Sequence, residues 1–192
     1  MARRAAPLPP DQRRAAIVAA TIPLVRLHGL GVTTSQIALA AGLAEGTLFR
    51  VFPDKESLLK AAVDHACDPE PTERAIAAID RSLSMRETLI VAVEILQRRV
   101  EQLWHLVSML GMAMPPKMPQ RPLEHSLTGA LAKLLEPFAD ELRCEPIQAA
   151  RLLRAMTFAG SHPRLIEGPA LTAAETVTVL LDGLRRRDDE ES

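Results

Sequence analysis

The polar and basic residues between Thr33 and Leu59 have types and spacings that suit contact with a polyanion. Thr34 and Lys55 each lie at the predicted start of a helix, where backbone N–H groups and the helix dipole favour an anion. Arg50, whose side chain is positively charged, is a third residue suited to contact with an anion. These three residues are therefore the candidates for contact with phosphate.

Three neighbouring side chains are candidates for reading base edges: Gln36, Glu45 and Thr47. Contacts to phosphate position a protein on DNA, whereas contacts to bases give specificity. Gly46 fits either a close approach of the backbone to DNA or close packing of two helices. For Arg50 the alternative is a salt bridge with Glu45 or Asp54, and both readings stay open on the sequence.

The elements that must position these groups are two short helices and a tight turn. Thr34 is the predicted N-cap of the first helix, and Ile37 and Ala41 share its inner face. Gly42 suits the left-handed conformation that ends a helix. The second helix takes its apolar side chains from Leu43, Leu48 and Phe52. A third helix with a capped start follows, so the pattern predicts a helix–turn–helix, which places its second helix in the major groove.

From Asp11 to about Ala62 the chain resembles the N-terminal domain of the TetR family of transcriptional regulators. The resemblance rests on five segments taken in order: RRAAIVAATIPLVRLHG, Thr33-Thr34 with Ile37-Ala38, Ala41-Gly42-Leu43, Gly46-Thr47-Leu48-Phe49, and Phe52-Pro53-x-Lys55-Glu56-x-Leu58-Leu59. It implies backbone contacts to DNA at Thr34 and Lys55.

Two residues depart from the family pattern within the predicted DNA-binding set. Phe49 stands where relatives usually carry Tyr, so it keeps the ring but lacks the hydroxyl that commonly reaches a phosphate. Ala44 stands where relatives tend to have Ser, which leaves the recognition helix without its usual cap, a loss of roughly 1 kcal/mol. Both departures imply weaker or differently specified DNA binding.

Composition indicates an all-α fold. The 192-residue chain is 47% hydrophobic, with no Tyr, one Trp and four Phe, and no stretch shows the period-two alternation of a strand. Residues 1–60 carry eight basic and four acidic side chains, a net charge of +4, whereas the whole chain is at −1. A basic end on a near-neutral protein suits phosphate contact at that end, although chance scatter is the alternative.

The predicted organisation is a DNA-binding domain at 11–67 and a C-terminal helical domain at 68–192, divided at the segment DPEPTE. Asp11 is the predicted N-cap of a first helix that ends at Gly29, with a kink or break at Pro23. A helix is predicted from Pro53-Asp54 to about Cys67. Later helices are expected at 72–83, 85–112, 123–142, 146–159 and 172–187. Residues 1–10, 114–122 and the charged C-terminus are expected to be an arm, a loop and a tail.

By the resemblance, the C-terminal domain senses a small apolar ligand and forms a homodimer. The ligand candidates fall on and after the long helix and on later helices: Trp104, His105, Ser108, Met109, Met112, Phe138 and Met156. Met suits a pocket for varied apolar ligands, but ordinary core packing is the alternative. The dimer candidates are apolar residues of the last two helices: Leu152, Met156, Val177, Leu180, Leu181 and Leu184. Intramolecular packing of these faces is the alternative there.

Other functional classes receive little support from the sequence. We find no GxGxxG, GxxxxGK[ST], HExxH, GxSxG or CxxC motif, so neither an enzyme nor a cofactor or metal site is expected. Cys67 and Cys144 fit no disulfide framework, and no run reaches the ~20 apolar residues of a membrane helix. We expect a soluble cytoplasmic protein with reduced thiols. The remaining alternative is a helical adaptor whose helix–turn–helix contacts protein.

Overall fold

The computed structural model describes residues 9–112, 121–162, 165–166 and 168–184, and every regular element in these ranges is a helix. The predicted arm at 1–10 lies mostly outside these residues, as do most of the loop at 114–122 and the C-terminal tail. The α-helices are α1 (Pro10–His28), α2 (Thr34–Ala40), α3 (Glu45–Val51), α4 (Lys55–Cys67), α5 (Glu70–Ala77), α6 (Met85–Met109), α7 (Leu127–Leu135), α8 (Pro146–Ser161) and α9 (Ala173–Leu184). Short 3₁₀ helices span Gly29–Gly31, Leu123–His125 and Glu136–Glu141. The all-α expectation is confirmed.

The start and the middle of α1 differ from the prediction. Pro9 occupies the N-cap position and Asp11 lies in the first turn, so the assignment of Asp11 as the cap was wrong. Pro10 is the first residue of α1, and proline suits the first turn because an N–H there would have no partner within the helix. No break occurs at Pro23, whose ring is exposed, and α1 continues to His28.

The helix predicted at 72–83 ends earlier, at Ala77. The backbone N–H of Ser82 donates to Oδ1 of Asp80 at 2.9 Å, which forms a turn. Ser84 and Glu87 then form a reciprocal capping arrangement at the start of α6, with the Ser84 N–H 3.0 Å from Glu87 Oε2. These local hydrogen bonds compete with continuation of α5.

The helix predicted at 123–142 is divided into three. Ser126 is an extended N-cap whose hydroxyl accepts from Gly129 N at 3.2 Å, so α7 begins after it. Pro137 has no N–H to donate to the carbonyl of Lys133, and the α-helix therefore gives way to a 3₁₀ helix. That carbonyl instead accepts from Arg81 Nη1 at 3.2 Å.

The chain folds as two compact units. Among the described residues, the first comprises 9–68 and 103–112, and the second comprises 69–102 and 121–184. The core of the first unit is built from fully buried side chains of α1 to α4 and the end of α6: Ile17, Val25, Ile37, Leu48, Phe52, Leu58, Ala62 and Leu106. The second core joins α5 to α9 through Ile76, Val93, Leu131, Leu134, Leu153 and Val177. The predicted boundary at 67/68 did not anticipate that the last turns of α6 belong to the first unit.

A candidate nucleic-acid interface

The start of α2 is fixed by Thr33 and Gln36. The Thr33 hydroxyl accepts from Gln36 N at 3.1 Å, while Thr33 N donates to Gln36 Oε1 at 2.8 Å, which is a capping box. The cap is therefore Thr33, and the prediction that Thr34 caps α2 was wrong by one residue. Thr34 is left free of the capping role, and its hydroxyl is directed elsewhere.

The turn between α2 and α3 is set by Gly42. Its φ is +67°, and its N–H donates to Leu39 O while Leu43 N donates to Ala38 O, at 3.1 and 2.8 Å. This pair of bonds satisfies the last carbonyls of α2 and reverses the chain. The predicted left-handed glycine is confirmed, and the next helix starts within three residues of it.

The inner side of α3 is held by apolar packing. Leu48 and Phe52 are fully buried in the first core, and Leu43 and Val51 pack against it. The outer side carries exposed Glu45, Gly46, Phe49 and Arg50, with Thr47 half-buried. The helix is thus anchored through one face and presents the predicted contact residues on the other.

Arg14 supports the end of α3 in a way that the sequence did not reveal. Its guanidinium carbon lies 4.2 Å from the centroid of the Phe52 ring, and its Nη1 donates to Val51 O at 3.4 Å. A cation over an aromatic ring stabilises the pair and directs the guanidinium to the last turn of α3. The separation of 37 positions between Arg14 and Val51 leaves no periodic signal, so this partner was not predictable from spacing.

The N-terminus of α3 has no side-chain cap, as Ala44 led us to expect. The Thr34 hydroxyl donates instead to Oε1 of Glu45, the first residue of α3. This bond joins the first residue of α2 to the first residue of α3 across the turn. Two predicted DNA-contact residues are therefore partners of one another.

The side chains of the two predicted basic contact residues, Lys55 and Arg50, differ in their bonding partners. Lys55 Nζ donates to Leu30 O at 2.6 Å, so its ammonium group is held against the 3₁₀ helix that follows α1. Arg50 is exposed, and within the described chain it forms no salt bridge with Glu45 or Asp54. The salt-bridge alternative for Arg50 is thereby excluded in this structure.

Asp54 fixes the start of α4, from which Lys55 projects. Its Oδ1 accepts from Ser57 N at 2.7 Å, and this hydrogen bond holds the pKa of the Asp54 carboxyl below its ordinary value. The capped start of the third helix is confirmed.

The predicted ligand residues are divided between the two units. In the first unit Trp104 is buried, His105 and Ser108 are exposed, and Met109 and Met112 are partly buried; His105 Nε2 lies 3.3 Å from Arg26 O. In the second unit Phe138 and Met156 pack against the core. That unit also contains an apolar cavity of about 10 Å³, lined by Leu89, Leu135, Leu142, Ala149, Leu153, Leu180 and Leu181.

The predicted dimer residues also separate into two groups. Val177, Leu180 and Leu181 are buried within the core of a single chain, so the structure favours the intramolecular alternative for them. Leu152 is 47% exposed and Met156 is partly exposed. The side chain of Leu184 lies outside the described part of the structure. On α9 the large apolar side chain of Val179 is exposed.

A family model described as bacterial regulatory proteins, tetR family, matches residues 17–62. That match covers the packed part of α1, all of α2 and α3, and the first part of α4. Among the described residues, no helix has the length and apolarity needed to cross a membrane.

Solved structures resemble the chain over nearly its whole length. A transcriptional regulator from a Rhodococcus species is 16% identical with a TM-score of 0.57, and 89% of this chain and 97% of that one are covered. SmeT, the repressor of a multidrug efflux pump of Stenotrophomonas maltophilia, is 18% identical with a TM-score of 0.54, and 91% of each chain is covered. A TetR transcriptional regulator from Streptomyces coelicolor is 21% identical with a TM-score of 0.51, covering 90% of this chain and 98% of that one. These likenesses establish the fold. The helix–turn–helix segment at 17–62 therefore matches the tetR family model, and the chain shares its fold with these solved transcriptional regulators over nearly its whole length.

Proposed function

We propose that the protein is a ligand-responsive repressor that binds a palindromic operator as a homodimer, in the cytoplasm. The observation that carries the DNA-binding part is α3, which buries Leu48 and keeps Glu45 and Arg50 on its outer face. A helix held in this way can enter the major groove without losing its anchor. Repression is proposed because SmeT, which shares the fold, is a repressor.

Contacts to the DNA backbone supply most of the binding free energy in this proposal. Arg50 needs no rearrangement to reach a phosphate, whereas Lys55 must leave Leu30 O and Thr34 must leave Glu45. Bonds of exposed groups are weak, so exchanging them for charged contacts is favourable. Phe49 contributes only its ring, and we propose that Gly46 permits close approach of the backbone. Gln36 has its Oε1 committed to the cap of α2, which leaves its amide N–H₂ for a base edge.

Two-fold symmetry requires a dimer whose recognition helices match two half-sites about one DNA turn apart. Leu152, Met156 and Ala159 lie three and four residues apart on α8 and are accessible. We propose this face as the α8 part of the interface. In this proposal the α8 face takes the place of Val177, Leu180 and Leu181, which the sequence analysis named as dimer residues and which are buried.

The ligand is proposed to be small and apolar. The cavity beside Leu153 supports this chemistry because all of its lining side chains are apolar, but at about 10 Å³ it admits little more than one water-sized group. A ligand would therefore bind to an expanded conformer. A differential affinity of ~1–3 kcal/mol between the two arrangements would then suffice to change operator affinity. A bound ligand that left operator affinity unchanged would contradict this mechanism.

The experiment for the proposed function compares DNA binding by the protein with that of an Arg50→Ala/Lys55→Ala variant. We expect the double variant to lose at least about tenfold in affinity and to show a salt dependence shallower by about two counterions. The matched control is Lys133→Ala/Arg151→Ala, which removes two exposed positive charges from the second unit. Equal weakening in both variants would show that only net charge matters. Full retention of DNA binding in the Arg50/Lys55 variant would contradict the proposed interface.

A further inference from the structure

We propose that Glu45 is the specificity-determining residue of the recognition helix and that it selects a cytosine in each half-site. The inference rests on the proposed DNA binding. Its starting point is the bond between the Thr34 hydroxyl and the Glu45 carboxylate, which joins the first residues of α2 and α3. No other acidic side chain lies within α2 or α3.

A carboxylate on the DNA-facing side of a recognition helix opposes binding. Like charges repel in water and repel several times more strongly where water is partly excluded, so Glu45 is repelled by every phosphate nearby. Arg50, one turn and a half further along α3, does not neutralise it in this structure. Glu45 therefore lowers the affinity of binding that relies on the DNA backbone alone, for every DNA sequence.

Within the groove, a hydrogen-bond donor on a base edge can offset that penalty. In the major groove the C·G pair presents the cytosine N4 amino group, with which carboxylates pair, whereas guanine N7 and O6 and thymine O4 are acceptors that repel a carboxylate. Adenine N6 is also a donor, but its neighbouring N7 acceptor makes it a better match for an amide than for a carboxylate. Cytosine is thus the base that Glu45 fits.

The Thr34 bond links base reading to backbone contact. While Glu45 accepts from Thr34, the Thr34 hydroxyl is not available to donate to a phosphate. When the carboxylate turns to a cytosine amino group, the hydroxyl is released for the phosphate backbone. A site without the cytosine gives neither contact, so the protein discriminates by more than one hydrogen bond.

A purely structural role for Glu45 is the competing explanation. An acid in the first turn stabilises a helix through its dipole, and α3 lacks a side-chain cap. That role predicts a loss of thermal stability on substitution but no change in base preference. The two explanations therefore differ in what a binding-site selection reports.

The test is selection of binding sites from a random duplex library by the protein and by Glu45→Gln, Glu45→Ala and Glu56→Gln. Glu56 is the matched control because it is an exposed first-turn glutamate of α4 in the same unit. We expect the protein to fix cytosine at one position of each half-site. Glu45→Ala should lose the cytosine preference and keep the preferences at all other positions. Glu45→Gln should change the cytosine preference to adenine, with which glutamine pairs. Glu56→Gln should select the original site.

Affinity for one fixed non-selected duplex gives the second readout. Both Glu45 variants should bind this duplex roughly threefold to tenfold more tightly than the unsubstituted protein does, because a repulsive charge is removed. Glu56→Gln should show no such gain in affinity. If Glu45→Ala selects a site identical at every base position to that of the unsubstituted protein, the inference is overturned and the proposed function stays intact. Failure of the unsubstituted protein to enrich any sequence would overturn both.

Discussion

At residue scale, the absence of a side chain at position 29 decides how α1 meets the end of α6. Gly29 has a φ of +56°, and a Cβ at this position would lie 2.8 Å from the carbonyl oxygen of Met109. Gly29 therefore serves as both the stop of α1 and the contact surface for α6. Gly42 has a similarly positive φ, but a Cβ there would meet no atom within 4 Å, so its role is conformational alone.

Alanine substitutions at three glycines separate these two effects. Gly29→Ala should cost about 2–5 kcal/mol, combining roughly 1–2 for the positive φ with 1–3 for forced movement of α6. Gly42→Ala should cost only the first of these terms. Gly31→Ala is the control, since its φ is not positive and nothing lies within 4 Å. Urea unfolding measures all three, and equal destabilisation at 29 and 31 would contradict the account.

At element scale, local capping chemistry determines where the helices begin and end. Side chains cap α2, α4 and α7, whereas α3 starts at Ala44 with no side-chain hydrogen bond. Its position depends on Leu48, Phe52 and the contact from Arg14. The start of α3 is thus positioned by packing and not by a side-chain cap of its own.

Ala44→Thr should stabilise the protein relative to Ala44→Val by roughly 1 kcal/mol, because only Thr supplies a capping oxygen. The two side chains have nearly the same shape, and residue 44 is exposed with an extended backbone, so either fits without strain. Thermal unfolding of the two variants provides the comparison. Identical midpoints would mean that the start of α3 is fixed entirely by packing.

The sequence predicted the elements better than their ends and partners. Gly42, Asp54 and the apolar residues of α3 carry local signals, so the helix–turn–helix and its third helix were predictable. The division of 123–142 followed from Ser126 and Pro137, which were visible but outweighed by the apolar pattern around them. The Thr34–Glu45 and Arg14–Phe52 contacts join residues 11 and 38 positions apart, and only the folded chain brings them together.

At the scale of the whole molecule, the proposed repressor requires two chains. Leu152→Glu should convert a dimer of twice the 20.9 kDa chain mass into monomer, because it places a charge on the accessible α8 face. Lys133→Glu, at an exposed position of α7, is the control and should stay dimeric. Sedimentation velocity distinguishes the two species. A dimer that persists in Leu152→Glu would place the interface elsewhere.

The most direct measurement for the central claim is affinity capture of sheared genomic DNA from the source organism by the purified, folded protein. Capture at about 50 and 200 mM salt separates specific from non-specific binding, because the non-specific part weakens steeply. We predict a small set of enriched fragments that share an inverted repeat, with half-site centres about 10 base pairs apart or a multiple of that. Recovery of bulk genomic DNA with no enriched sequence at either salt concentration would contradict sequence-specific DNA binding by this chain.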